Sequence, residues 1–451
     1  MTAIANRAPG ARLLAVGIVV LEFSAAVSRF VVSTLLPVIA GDLHARDQLA
    51  LLVAGSSLGL FVAMPLAERV IRALGSSGSL GVGVAAYVSG LVVAATAPQA
   101  WVFMLGQLAG GLASGLLAVF GVSAAIQNLD EALRMRVVAV SSAMWIAPAL
   151  IGPAATLGLE HLIGWRWTLL VPLPVVLAGR FLVARSVRAQ APQTGSQRPL
   201  ARTLLAPAGA AAIIFGAAWW PIAAAGAVVA MVGVTAIMPA GVSRLVRGTP
   251  AALAAMVLFA VGYFGADSLI TVLLTDGYHA SLGQAAIVLG AAPLAWGMTS
   301  LVVSRLVQDQ ATFRFPAVGL TVSTLGVFSV ALGALTAPVF ALALIGWSIT
   351  GLGVGLAYPA LYILSTTTGG SALEAAALAT AVITAEELGA LLGKAGGGAI
   401  SSFGGTTGLG IAYLVFVVAL GAAAYAATRA RPRSQPMLKN PCRAGQARSV
   451  G

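Results

Sequence analysis

Apolar runs of about twenty residues recur along the chain, separated by short polar turns, and this repetition limits the possible folds more than any other feature. A helix crossing a ~30 Å hydrocarbon core needs roughly 20 predominantly apolar residues. Runs of that kind lie near 13–40, 48–67, 79–97, 100–126, 137–159 and 167–184. Two shorter, Ala-rich runs follow near 204–219 and 221–239, turning at Trp219-Trp220-Pro221. Six more lie near 251–274, 283–304, 316–335, 338–364, 375–402 and 406–428. Only 8% of the 451 residues are charged and 59% are hydrophobic. Soluble domains carry about 25% charged residues, so this chain cannot cover itself with a solvated surface. A water-soluble enzyme, a disordered chain and a disulfide-rich secreted domain are thereby excluded. The single cysteine, Cys442, lies in the polar C-terminal tail and offers neither an intramolecular disulfide nor a Cys-built metal site. The expected fold class is an all-α integral membrane protein with fourteen spans grouped six, two and six. Twelve spans, with the 204–239 pair lying on the membrane surface, is the alternative.

The basic residues support this count. With a cytoplasmic N-terminus, Lys and Arg should gather in every second loop. They do so at Arg7 and Arg12, at Arg69 and Arg72, at Arg134 and Arg136, and along Arg185, Arg188, Arg198 and Arg202. Arg244 and Arg247, Arg305 and Arg314, and the tail after Arg429 continue the pattern. The opposite loops hold only Arg46 and Arg166. Reading 204–239 as one crossing would invert the bias of the second half, so the pair crosses twice or not at all. The +12 net charge is thus spread between apolar runs as a topology signal and does not form a nucleic-acid-binding stripe. The expected organisation is an N-terminal six-helix half over 1–184, a basic segment with two inserted helices over 185–250, a C-terminal half over 251–428 and a basic tail over 429–451. Both termini are expected in the cytoplasm. The first run continues past Pro37 without a polar mature start, which favours an uncleaved span over a signal peptide.

Charges well inside spans are costly, roughly 2.5–3.5 kcal/mol each on insertion scales, and persist when paired or facing a wet cavity. Six residues fit that description: Glu22, Arg29, Asp267, Glu386, Glu387 and Lys394. Glu22 and Arg29 are seven residues apart, on nearly one helix face and ~10 Å apart along the axis. Glu387 and Lys394 repeat the spacing, and Tyr263 precedes Asp267 by one turn. One reading makes them structural ion pairs. The other makes the carboxylates proton carriers, because burial and a neighbouring cation push a carboxylate's affinity for protons in opposite directions. His44, His161 and His279 match no metal-site spacing.

Several segments together resemble the major facilitator superfamily, and within it the drug:proton antiporters. Leu21-Glu22-Phe23 followed by Val32-Ser33-Thr34-Leu35-Leu36-Pro37 is similar to the acidic first-helix motif of that group. Leu66-Ala67-Glu68-Arg69 followed by Gly75 resembles the loop motif between helices two and three, with Glu in place of Asp. Pro148 and Gly152-Pro153 resemble the antiporter motif of the fifth span, and Gly164-Trp165-Arg166-Trp167 resembles the segment before the sixth span of many drug exporters. Gly389, Gly393-Lys394 and Gly397-Gly398 repeat the antiporter spacing in the thirteenth span, with Lys at the proline position. Aligning Leu35-Leu36 with Leu273-Leu274 sets Arg29 opposite Asp267. The fourth span carries Gln107 where the family pattern has an arginine that assists proton coupling.

The resemblance implies a major facilitator fold, two six-helix halves plus two central helices, working as a monomer by alternating access. It implies export of lipophilic or drug-like small molecules across the cytoplasmic membrane in exchange for protons. Glu22, Arg29, Asp267, Glu387 and Lys394 become the coupling candidates, and Gln107, Tyr263, Trp347 and Tyr358 the cavity candidates. Trp296 and Tyr362 are further aromatic residues available to stack on lipophilic ligands. Small-molecule substrate, protons and the lipid bilayer are the expected partners; no nucleic acid, metal or cofactor is implied, and no phosphate-binding loop is present in the sequence. A narrow-substrate metabolite or siderophore exporter is the nearest alternative. A non-transporting sensor and a membrane-embedded lipid or glycan enzyme lie further away.

Overall fold

The computed structural model describes residues 8–128, 146–186, 200–216, 219–238, 241–306, 314–336, 338–366 and 372–430. Arg7, Arg134, Arg136, Arg188, Arg198 and Cys442 lie outside the described residues, as do the side chains of Glu22, Glu68, Arg72, Arg202 and Arg305. Every regular element among the described residues is helical: α1 Ala8–Asp42, α2 Leu49–Ala95, α3 Ala100–Asn128, α4 Ile146–Thr168, α5 Leu173–Ser186, α6 Leu200–Phe215, α7 Trp220–Ile237, α8 Thr249–Val272, α9 Leu282–Leu306, α10 Phe315–Leu335, α11 Phe340–Thr366, α12 Ala372–Ser401 and α13 Gly405–Arg429. A π-helical turn, Leu273–Gly277, extends α8. The physical reason is general: lipid offers no hydrogen-bond partner, so each backbone amide and carbonyl must be satisfied within its own segment.

Each expected apolar run falls on a helix wherever it is described, but the boundaries differ in two places. The second and third runs form one continuous α2, with the expected loop between them reduced to a break at Gly75 (φ 66°, ψ −179°). A left-handed backbone costs glycine little because it lacks a Cβ, so the chain turns within one residue. Ser79 Oγ then donates to the Gly75 carbonyl at 2.7 Å. Likewise α4 runs past the expected end at 159 to Thr168, breaking only at Gly164 (φ 78°). The Gly164-Trp165-Arg166-Trp167 segment is therefore the last turn of α4, and α5 starts late, at Leu173. The chain bends by 64° between the two helices.

Among the described residues, eight helices are long and apolar enough to cross a membrane, and the bent α4–α5 pair makes a ninth; Leu49–Ala63, Leu204–Phe215 and Pro221–Ala236 are shorter. Length alone thus assigns fewer crossings than the fourteen expected. The inserted pair α6 and α7 forms an antiparallel hairpin in which Gly209, Gly226 and Gly233 set the two backbones in direct contact. Close backbone approach at small residues is how helices associate where lipid removes the hydrophobic drive.

Two bundles emerge from the packing. In the first, α1 lies against α4 and α5, and α2 folds onto α3; in the second, α8 packs on α12 and α13, α10 on α11 and α13, and α9 on α11. They meet along α1/α8, α2/α12 and α4/α9, while α6 straps the seam by contacting both α2 and α12. One buried apolar cluster runs through both bundles, from Leu35, Leu36 and Ile39 to Leu253, Leu269 and Leu391.

Candidate functional site

The seam between the bundles is where aromatic and charged side chains gather. On the α8 side, Tyr263 stacks on Phe259 (5.7 Å between centroids) and on Trp347 of α11 (5.9 Å), and meets Trp296 of α9 edge-on at 5.6 Å. Trp296 in turn contacts Tyr358 at 5.1 Å, and Tyr358 contacts Tyr362 at 6.3 Å. Ring pairs at such separations add about 0.5–1.5 kcal/mol beyond area burial, which makes this wall rigid. Tyr263 and Trp347, expected in a cavity, are closed into the core of the second bundle instead. Their rings fill one another's faces, so Tyr358, Trp296 and the half-exposed Tyr362 are the aromatic residues nearer open space.

The charges lie against this wall. The Tyr358 hydroxyl donates to Glu386 Oε2 at 2.9 Å. Arg29 of α1 crosses to α8, its guanidinium carbon 5.9 Å from the Phe264 ring centroid, within cation–π range. It also lies within electrostatic range of Asp267, Glu386 and Lys394. Lys394 is only 9% exposed. Its Nζ donates to Ser57 Oγ on α2 at 2.8 Å, and it senses Glu387 and Asp267. Glu22 sits in α1 with its side chain outside the described residues. Gln107 packs its Cβ beside Gly55 on the α2–α3 seam.

The motif residues have structural duties that can be stated. Gly75 is the left-handed break described above, with Arg69 partly exposed a turn and a half before it; the Glu68 side chain is outside the described residues. Pro148 and Pro153 are buried, and Gly152 faces Phe30 of α1, where a Cβ would lie 3.5 Å from the Phe30 Cβ. In α12, Gly389 and Gly393 sit against the α8 backbone at Val257 and Val261, Gly397 faces Phe416, and Gly398 meets Ala50 of α2, where a Cβ would be 2.5 Å from the Ala50 Cα. The repeat of the antiporter spacing is therefore a helix-packing stripe, with Gly398 the member that reaches the other bundle.

At the end of the molecule that the arginine pattern assigns to the outside, the two bundles are joined. Arg46 Nη1 pairs with Asp276 Oδ1 at 3.0 Å, and Thr271 Oγ1 donates to the Ser33 carbonyl at 2.7 Å. Within the first bundle, Trp165 Nε1 and Arg166 Nη1 both donate to Asp42 Oδ2, at 3.2 and 2.7 Å, and Arg166 Nη2 donates to the Ala97 carbonyl at 3.2 Å. This gives the Trp-Arg-Trp segment a concrete role: it ties together the ends of α1, α2 and α4 at this end of the bundle. Neither Ser57 nor the Arg46–Asp276 pair was singled out by sequence. Arg46 did carry a signal, as one of two arginines in loops otherwise free of them. The choice between Glu386 and Glu387 carried none, because adjacent residues on a helix point ~100° apart and neither the residue type nor the motif says which faces the wall.

Two helical bundles meet along a seam that holds part-buried carboxylates, the buried Lys394 and aromatic rings, an arrangement that suits a membrane transporter. The model of the Major Facilitator Superfamily matches residues 18–393, and the chain belongs to that family. It is 27% identical to a probable multidrug-efflux transporter of Mycobacterium tuberculosis over 91% of this chain and 93% of the relative. A multidrug efflux pump of Staphylococcus aureus, SdrM, is 20% identical over 37% of this chain and 38% of its own. Among solved structures, the fold is similar to a nucleoside transporter, NupG (TM-score 0.66, 12% identity, 93% of this chain and 100% of that one). It is also similar to a D-xylose–proton symporter (TM-score 0.64, 14% identity, 94% and 97%). The protein is a multi-pass membrane transporter.

Proposed function

We propose that this protein exports lipophilic, drug-like small molecules, cations among them, across the cytoplasmic membrane in exchange for protons. The observation that carries the reading is the Glu386 carboxylate, held by the Tyr358 hydroxyl at 2.9 Å on an aromatic wall beside the seam of the two bundles. A carboxylate against aromatic faces suits a cation that is partly apolar, because ring quadrupole and full charge act together on it. The same carboxylate, with Asp267 and Glu387 in the same field, can take up protons, so substrate and proton compete for it. The names of the mycobacterial and staphylococcal relatives point the same way. In this reading both termini lie in the cytoplasm, the α6–α7 hairpin crosses twice to give fourteen spans, and the unit is a monomer. Energy comes from the proton gradient, and the two bundles rock about the seam.

Proteoliposomes with an imposed pH gradient test it. Concentrative movement of a lipophilic cation is expected with the native chain, and its loss with Glu386→Gln or Glu22→Gln at unchanged folded yield. Native transport indifferent to the pH gradient sinks the proton-coupled reading.

A further inference from the structure

We propose that Lys394 is a latch that holds the outer end closed while Asp267 and Glu387 are ionised and unoccupied, and that a proton or a cationic substrate on those carboxylates releases it. The proposal rests on the reading above that these carboxylates exchange protons.

The geometry is specific. Lys394 lies on α12 in the second bundle, and its ammonium is hydrogen-bonded to Ser57 on α2 in the first. Four residues, about one turn, further along α12, Gly398 brings the backbone against Ala50 of the same helix α2. The outer end cannot open along this seam without separating α12 from α2, and that separation breaks the Lys394–Ser57 bond.

The groups around the ammonium decide what the bond requires. Its own helix brings Glu387 two turns earlier, and Glu386, which is engaged by Tyr358 of α11. Helix α8 brings Asp267, α1 brings the Arg29 cation, and α2 brings the neutral Ser57 hydroxyl. Helix α13 contributes Tyr413, whose hydroxyl donates to the Ala266 carbonyl. The described side chains of α6 and α7 include no acid or base. A buried ammonium is costly unless compensated by opposite charge and hydrogen bonds, and one hydroxyl does not supply that charge. The carboxylates Asp267 and Glu387 do, against the unfavourable field of Arg29. With both ionised, Lys394 is tolerated in the closed seam. Once a proton neutralises them, or a cation occupies them, the ammonium loses its counter-charge and is better placed in the water that enters an open cleft.

The empty, ionised carrier therefore stays closed outside, and a proton or a cationic substrate on the carboxylates lets it open outward.

The full-length chain carrying Cys442→Ser, with spin labels at Asp47→Cys in the α1–α2 loop and Val339→Cys in the α10–α11 loop, reports the outer separation of the bundles in nanodiscs. For native Lys394 the short distance should dominate at alkaline pH without substrate, and acidification or tetraphenylphosphonium should populate the long one. In Lys394→Met the ratio of long to short at alkaline pH should rise about tenfold or more, the size expected for a lost hydrogen bond to a charged group, and the pH response should flatten. Ser57→Ala should show the rise with the response retained, and Lys394→Arg should resemble the native chain. A native chain without pH response, or Lys394→Met with native populations and response, overturns the latch. Should Lys394→Met fail to fold, unchanged distances in Ser57→Ala overturn it equally. Because these distances are read without transport, failure of the latch is distinguishable from failure of proton-driven export in proteoliposomes.

Discussion

The Arg46 guanidinium and the Asp276 carboxylate meet at 3.0 Å although 230 residues separate them in the chain. The pair joins the first loop of one bundle to the end of α8 in the other. Arg46 is 62% exposed and Asp276 19%, so its contribution to overall stability is small, ~0–1 kcal/mol, and screened by salt. Its position gives it leverage on opening rather than on folding. Asp276→Asn should increase labelling of an outer-seam cysteine by impermeant maleimide a few-fold, and high salt should mimic the substitution. The reversed pair, Arg46→Asp with Asp276→Arg, should restore the native rate; if it labels like the single variants, the bridge does not govern opening.

Tyr358→Phe keeps the ring but leaves Glu386 without its donor, a loss of about 1.5–3 kcal/mol for a hydrogen bond to a charged group. Export of lipophilic cations should show a raised KM with folding intact. Glu386→Gln should abolish binding of lipophilic cations while sparing binding of a neutral substrate. Equal loss of binding for both substrate types would show that Glu386 acts on folding and not on cation recognition.

Glycines of one stripe should fail in different ways. Gly393→Val drives a side chain into the α8 backbone at Val261 within one bundle, so overpacking of about 1–3 kcal/mol should appear as a lower Tm. Gly398→Val instead meets Ala50 across the seam. It should leave Tm closer to native and keep the outer end from closing, seen as faster external labelling. Similar Tm losses with native labelling in both variants would refute the distinction.

Trp219, 61% exposed at the α6–α7 turn, tests the crossing number. In a Cys442→Ser chain, Trp219→Cys should react with impermeant maleimide added to intact cells if the hairpin crosses twice. Reaction only after permeabilisation would place the hairpin on the cytoplasmic face and leave twelve spans.

The helical class, the approximate position of each apolar run and the intramembrane charges were all legible from residue type and spacing. Helix boundaries were less so. Gly75 and Gly164 each compress an expected loop into a single left-handed residue, and composition does not distinguish a glycine that turns a helix from one that packs it. The candidate site was half legible. Arg29, Asp267 and Lys394 lie within electrostatic range of one another, whereas Tyr263 and Trp347 are buried in the core of the second bundle.

What the sequence determined by itself follows from solvation: a residue's cost in hydrocarbon depends on its own chemistry, so scarce charge and repeated apolar runs suffice to declare a membrane bundle and to mark the exceptional side chains. Partnership depends on relative position in space. Only the tertiary structure could choose Glu386 over Glu387 for Tyr358, set Lys394 on Ser57 and bring Arg46 to Asp276. Each of these contacts joins separate segments, 28 residues apart for Tyr358 and Glu386 and more than 200 apart for the other two, and the crossing of two helices is decided by how their side-chain ridges and glycine faces fit, which no local pattern encodes.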